Sequence, residues 1–101
     1  MANLKKRAAA RPAPRTIPIS LDGDYAGWEA TARADFPSRL LYDLSSNDEA
    51  RMYGALNKIV IEHNFPDDSG EIAGSLEDVD WAAITKLMEG ISKGIADLPN
   101  R

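Results

Sequence analysis

His63 is the only histidine in the 101-residue chain, and so the only side chain whose ordinary titration falls near neutral pH. A general base needs a nucleophile or substrate group beside it. A metal site needs further ligands at ordered spacing. Neither pattern accompanies His63, which reads as a core or boundary histidine with one hydrogen bond. A second candidate begins at Asp67-Asp68-Ser69-Gly70-Glu71 and runs to Asp78. It has the length of a calcium loop, with oxygen ligands available at Asp67, Ser69, Glu71 and Asp78. Ile72, however, stands where the sharp turn demands Gly, and Gly74 where an apolar residue belongs. The terminal acid is Asp, one methylene shorter than the usual bidentate Glu. The run therefore reads as a connection between helices. The pairs Asp22/Asp24 and Asp78/Asp80 lie in or beside turns, and nothing sets two carboxyls across a cleft as glycoside hydrolysis requires. No glycine-rich phosphate loop, nucleophile elbow or zinc pattern occurs. There is no cysteine, so disulfides, thiolate metal sites and thiol catalysis are excluded. The residues point away from an enzyme, and no cofactor or metal is expected.

The elements that would position these residues follow from periodicity. Ser46 and Glu49 have capping-box spacing. Met52, Tyr53, Leu56, Ile59, Val60 and His63 then recur at steps of three and four. The spacing predicts a central helix over 46–64, stopped by Asn64 and Pro66. Upstream, Thr16–Leu21 alternates with Ile17, Ile19 and Leu21 on one side. Trp28–Ala34 alternates with Trp28, Ala30, Ala32 and Ala34 on one side. Separated by glycine-containing turns, the two runs predict a β-hairpin over 16–34. Pro18 lacks an N–H and marks an edge strand. Pro37 suits the first position of a short helix over 37–45, with Leu40, Leu41 and Leu44 as its apolar side. Pro66–Gly70 is a turn and Glu71–Ser75 an irregular link. Trp81, Ile84, Leu87, Met88, Ile91, Ile95 and Leu98 form a helical stripe, which predicts a last helix over 77–98 with Glu77, Asp78 and Asp80 at its favourable end. The expected fold is α+β: an N-terminal β-hairpin packed on a three-helix C-terminal part, one domain over 16–101.

Length and charge set the remaining bounds. A chain of this size buries roughly two-thirds of its unfolded surface. One modest core follows, with no deep interdomain cleft. No apolar run approaches the roughly 20 residues that span a bilayer, and the basic start is not followed by an apolar signal core. An intracellular protein is expected. Residues 1–15 carry five bases and no acid, while residues 16–101 carry seven bases and sixteen acids. The first segment, rich in Pro and Arg, reads as a disordered basic arm. The acidic remainder should repel nucleic acid, so only the arm could attract phosphate.

One feature of the last helix exceeds its stripe. Ala83, Gly90 and Gly94 lie together beside Leu87 and Ile91. Glycine inside a helix costs roughly 1 kcal/mol relative to Ala, so a second backbone is expected to approach there. That backbone is either the protein's own hairpin or central helix, or a partner helix. The expected partner-binding residues are Ala83, Leu87, Gly90, Ile91 and Gly94, with Trp28 on the hairpin as a further contact.

Three runs carry a resemblance to a known family: Asp22-Gly23-Asp24-Tyr25-Ala26-Gly27-Trp28-Glu29, then Ala32-Arg33-Ala34-Asp35-Phe36-Pro37, then Ile59 through Glu71. With a closing helix, they make residues 16–98 resemble the small tail assembly chaperones of long-tailed bacteriophages. The family often has a proline-rich link before its last helix, and Ile72–Ser75 has none. The resemblance implies a non-enzymatic protein in the host cytoplasm. It would bind the tape measure protein, the long helical protein that sets tail length, and keep it soluble until tail tube subunits polymerise. It implies reversible self-association and no cofactor. The alternative is a small virion or regulatory binding module whose basic arm contacts nucleic acid.

Overall fold

The alternation of Ile17 and Ile19 with Thr16, Pro18 and Ser20 builds the first strand, β1, Thr16–Ser20. In the computed structural model, which describes residues 15–97, the two isoleucines are buried and their neighbours exposed. β1 pairs antiparallel with β2, Glu29–Arg33, placing Ile17 opposite Ala32 and Ile19 opposite Ala30. The loop between them contains a 3-10 turn at Gly23–Tyr25. Leu21 N–H donates to the Trp28 carbonyl and Ala34 N–H to the Arg15 carbonyl. Hydrogen-bonded pairs alternate along an antiparallel ladder, so the odd residues of β1 bond to β2. The backbone of Thr16, Pro18 and Ser20 therefore faces the free edge, where the missing N–H of Pro18 breaks no bond.

Helix α1, Arg39–Leu44, buries Leu40 and ends where the Ser45 hydroxyl donates to the Leu41 and Tyr42 carbonyls. Helix α2 spans Glu49–Ile59. Its cap is Asp48, whose carboxylate accepts from the Ala50 and Arg51 N–H groups, while Ser46 accepts from Asp48 N–H one step earlier. The expected Ser46/Glu49 box is thus displaced by a stronger acceptor two residues on.

The central helix stops at Ile59, five residues short of the expected end at Asn64. Val60–His63 is a third strand, β3, antiparallel to β2, and the sheet order is β1-β2-β3. Three consecutive β-branched residues, Ile59-Val60-Ile61, favour this change of conformation. Ala30 pairs with His63, Thr31 with Glu62 and Ala32 with Val60, with a register shift between Thr31 and Ala32. The shift leaves Ile61 as a bulge residue, and its side chain is exposed. This is how Val60 and His63, three apart, both lie on the core side of the sheet.

The link after Pro66 is also more ordered than expected. Pro66 bridges to Ile72. Ser75 caps a 3-10 turn at Leu76–Asp78 by accepting from Glu77 N–H. Phe65, Ala73, Leu76 and Val79 are all buried in the core. Helix α3, Trp81–Ala96, starts four residues later than expected, because Glu77 and Asp78 belong to that preceding turn. It buries Ala83, Ile84, Leu87 and Ile91 and lies on β1. The architecture is α+β, with a three-stranded antiparallel sheet where a two-stranded hairpin was expected. The basic arm, apart from Arg15, and Leu98 at the foot of the apolar stripe lie outside the described residues.

Candidate functional site

The small-residue flank of α3 lies against β1. A Cβ at Gly90 would stand 2.8 Å from Ile19 Cγ2, and one at Gly94 would meet Ile17 Cγ2 more closely still. What approaches is the protein's own β1, through the side chains of Ile17 and Ile19. Ala83, Leu87 and Ile91 are fully buried. These three are core residues of the expected partner surface, while Gly90 and Gly94 are half-buried against Ile19 and Ile17 and line a shallow groove between α3 and β1 with Lys93 and Asp97. Trp28 is half-buried, with its ring between Tyr25, 4.8 Å away edge-on, and Phe65 at 5.6 Å. It is a core boundary residue with one side turned outward.

His63 stands at the end of β3. Its Nδ1 accepts from Phe65 N–H at 2.9 Å. Its ring meets Phe65 edge-on at 5.4 Å. Burial pushes its pKa below 6.5, and the Ala73 carbonyl partly opposes that shift. The Phe65 bond is the one hydrogen bond that sequence reasoning anticipated for this ring. It lines a shallow depression with Glu29, Glu62 and Asn64. The Asn64 side chain ties β3 to the hairpin loop, accepting from Glu29 N–H at 2.7 Å and donating to the Gly27 carbonyl at 3.0 Å.

The Asp67 loop forms one wall of an acidic cleft. Asp67, Asp68 and Ser69 face Glu77, Asp78 and Asp80 across it. Several of these carboxylates are already engaged. Asp67 accepts from the Ser69 hydroxyl and from the Ser69 and Glu71 N–H groups, and the hydroxyl bond leads in lowering its pKa. Asp80 accepts from the Tyr25 hydroxyl, a bond that raises the tyrosine pKa and ties the hairpin loop to the start of α3. Among the described residues, no three His, Asp or Glu side chains converge to hold a metal ion. Nor is any helix there long and apolar enough to cross a membrane.

The surface instead carries large apolar side chains. Tyr42 is 79% exposed and Trp81 56%, and Leu41, Ile61 and Ile72 are exposed as well. Sequence reasoning placed Leu41 and Trp81 on apolar stripes, where periodicity alone gives no sign of exposure. Compared with known proteins, the chain matches no family model, no curated protein and no solved structure.

Proposed function

We propose that the protein is a non-enzymatic assembly chaperone that binds the tape measure protein of a long-tailed phage in the host cytoplasm. One observation carries this reading. The groups that could do chemistry, His63 and Asp67, are bonded to their own backbone and loop, while Tyr42, Ile72 and Trp81 project from an acidic body. Exposed aromatic and aliphatic side chains are the usual anchors of protein recognition. A helical partner would engage them through its own apolar stripe. The resemblance of Ile59–Glu71 to the tail assembly chaperones supports the same class, and that run forms the end of α2, β3 and the Asp67 turn.

The test is co-expression with a tape measure protein encoded beside it. The wild-type chain should keep that protein soluble and co-purify with it. A Tyr42→Ser, Ile72→Ser, Trp81→Ser triple variant should stay folded by circular dichroism, since all three side chains are exposed, and lose co-purification. A tape measure protein that aggregates equally with and without the wild-type chain refutes the chaperone reading. Full retention by the folded triple variant moves the interface away from these residues.

A further inference from the structure

Phe65–Ala73 is a second, smaller hairpin. Ala73 N–H donates to the Phe65 carbonyl at 2.9 Å, Asp67 N–H to the Glu71 carbonyl at 2.8 Å, and Gly70 N–H to the Asp67 carbonyl at 3.0 Å. Gly70 turns the chain at a φ of +88°, a conformation that favours glycine. Phe65 and Ala73 are buried, so both feet of this hairpin stand in the core. Its tip carries the Asp67, Asp68 and Ser69 wall of the acidic cleft. His63 holds the Phe65 foot, its Nδ1 accepting from the Phe65 N–H at 2.9 Å. A neutral imidazole has one acceptor nitrogen and one N–H, and here the acceptor is Nδ1, taken up by Phe65 N–H. The Phe65 bond requires that neutral form, with Nδ1 unprotonated. A protonated ring has donors at both nitrogens, so its Nδ1–H would point at the Phe65 N–H. A buried N–H left without an acceptor is destabilising.

We propose that His63 is a pH-dependent latch, which when neutral holds the Phe65–Ala73 hairpin to the core and when protonated releases its Phe65 foot. The charged groups on the surrounding elements are Glu29 and Arg33 on β2, Lys58 near the end of α2, Glu62 beside the ring, and Asp67, Asp68 and Glu71 on the hairpin. Glu29 and Glu62, which share the ring's depression, are exposed to solvent. Burial is the leading influence on the ring and favours its neutral form. The folded pKa lies below 6.5, so the open chain binds the proton more tightly. The latch's contribution is complete above 6.5 and is lost as pH falls from there through the folded value.

The experiment is NMR on the full chain from about pH 7.5 to about pH 5, spanning the ordinary histidine range. It follows the His63 ring protons together with amide exchange at Phe65 and Ala73, corrected for the intrinsic pH dependence of exchange. Protection at Phe65 should fall as the pH drops from 6.5 through the ring's folded pKa, by the factor that the separation of those two values sets. In His63→Gln, whose side chain has an acceptor and a donor but does not titrate, Phe65 protection should not change over this range. Wild-type protection that stays flat while the ring titrates overturns the latch. A step that survives in His63→Gln assigns it to another group and overturns it equally. The wild-type titration decides the matter by itself if the variant does not fold.

Discussion

Gly54 and Gly94 sit inside two helices of one small protein, and a single methyl group should have opposite effects at them. Nothing stands within 4 Å of a Cβ at Gly54, and its backbone φ is not positive. Gly54→Ala should therefore raise stability by about 0.5–1 kcal/mol, from better helix propensity and a less flexible unfolded chain. At Gly94 a Cβ runs into Ile17 Cγ2, with Cδ1 and Cβ of the same side chain also within contact range. That methyl is attached directly to a stiff β-branched carbon and has no free rotor to swing away. Overpacking of this kind costs roughly 1–3 kcal/mol and should outweigh the propensity gain at Gly94→Ala. Urea titration of both variants measures the difference. Equal midpoints would show that α3 slides off β1 at no cost. The two costly glycines mark a close approach, and it is made by the Ile17 and Ile19 side chains of β1 where a backbone was expected. Which element approaches was not legible, because the sequence period that marks a packed helix face is the same whether a partner or the chain's own strand lies on it.

At the scale of elements, the β1–β2 hairpin was legible and β3 was not, for one physical reason. Ile17, Ile19, Ala30 and Ala32 alternate regularly, and a regular period of two has no helical counterpart. In β3 the bulge at Ile61 places the inward residues Val60 and His63 three apart. A spacing of three is also a helical spacing, so the strand reads as the last turn of α2. The β-branched run Ile59-Val60-Ile61 was the signal that could have separated them. The capping acceptor was missed by two residues, since Ser46, Asp48 and Glu49 all suit the start of a helix. β1 carries a further consequence. Its free edge presents Thr16, Pro18 and Ser20, and an edge strand with open N–H groups is a template for pairing with another chain. Pro18 removes the middle donor. Pro18→Val restores it and adds β propensity, so the variant should self-associate at concentrations where the wild type does not. Sedimentation velocity over a concentration series reads this directly. Unchanged sedimentation would mean that Pro18 is not what keeps this edge unpaired.

For the whole molecule, the question is where the fold begins. Among the described residues, every buried apolar side chain of the core lies between Ile17 and Ile91. The last bond of the β1–β2 ladder reaches one step further out, since Ala34 N–H donates to the Arg15 carbonyl at 3.0 Å. Arg15 is thus the first residue the described fold uses. Removal of residues 1–14 should leave the melting temperature unchanged within error. Removal of residues 1–15 should lower it, because Ala34 loses its acceptor and a charged amine replaces a peptide bond beside it. A lost hydrogen bond of about 1 kcal/mol corresponds to roughly 4–8 °C in a domain of this size. Ionic strength must be fixed in the comparison. The arm through Arg15 holds five of the twelve bases, and the remainder carries sixteen acids against seven bases. Deleting the arm takes the chain further from neutrality, and self-repulsion of that kind is felt most at low salt. At about 0.15 M salt exposed charges more than roughly 8 Å apart are largely screened, and the two truncations then differ by the Arg15 contact alone. A fall of many degrees on removing 1–14 would place part of the arm in the core and extend the domain towards the N-terminus.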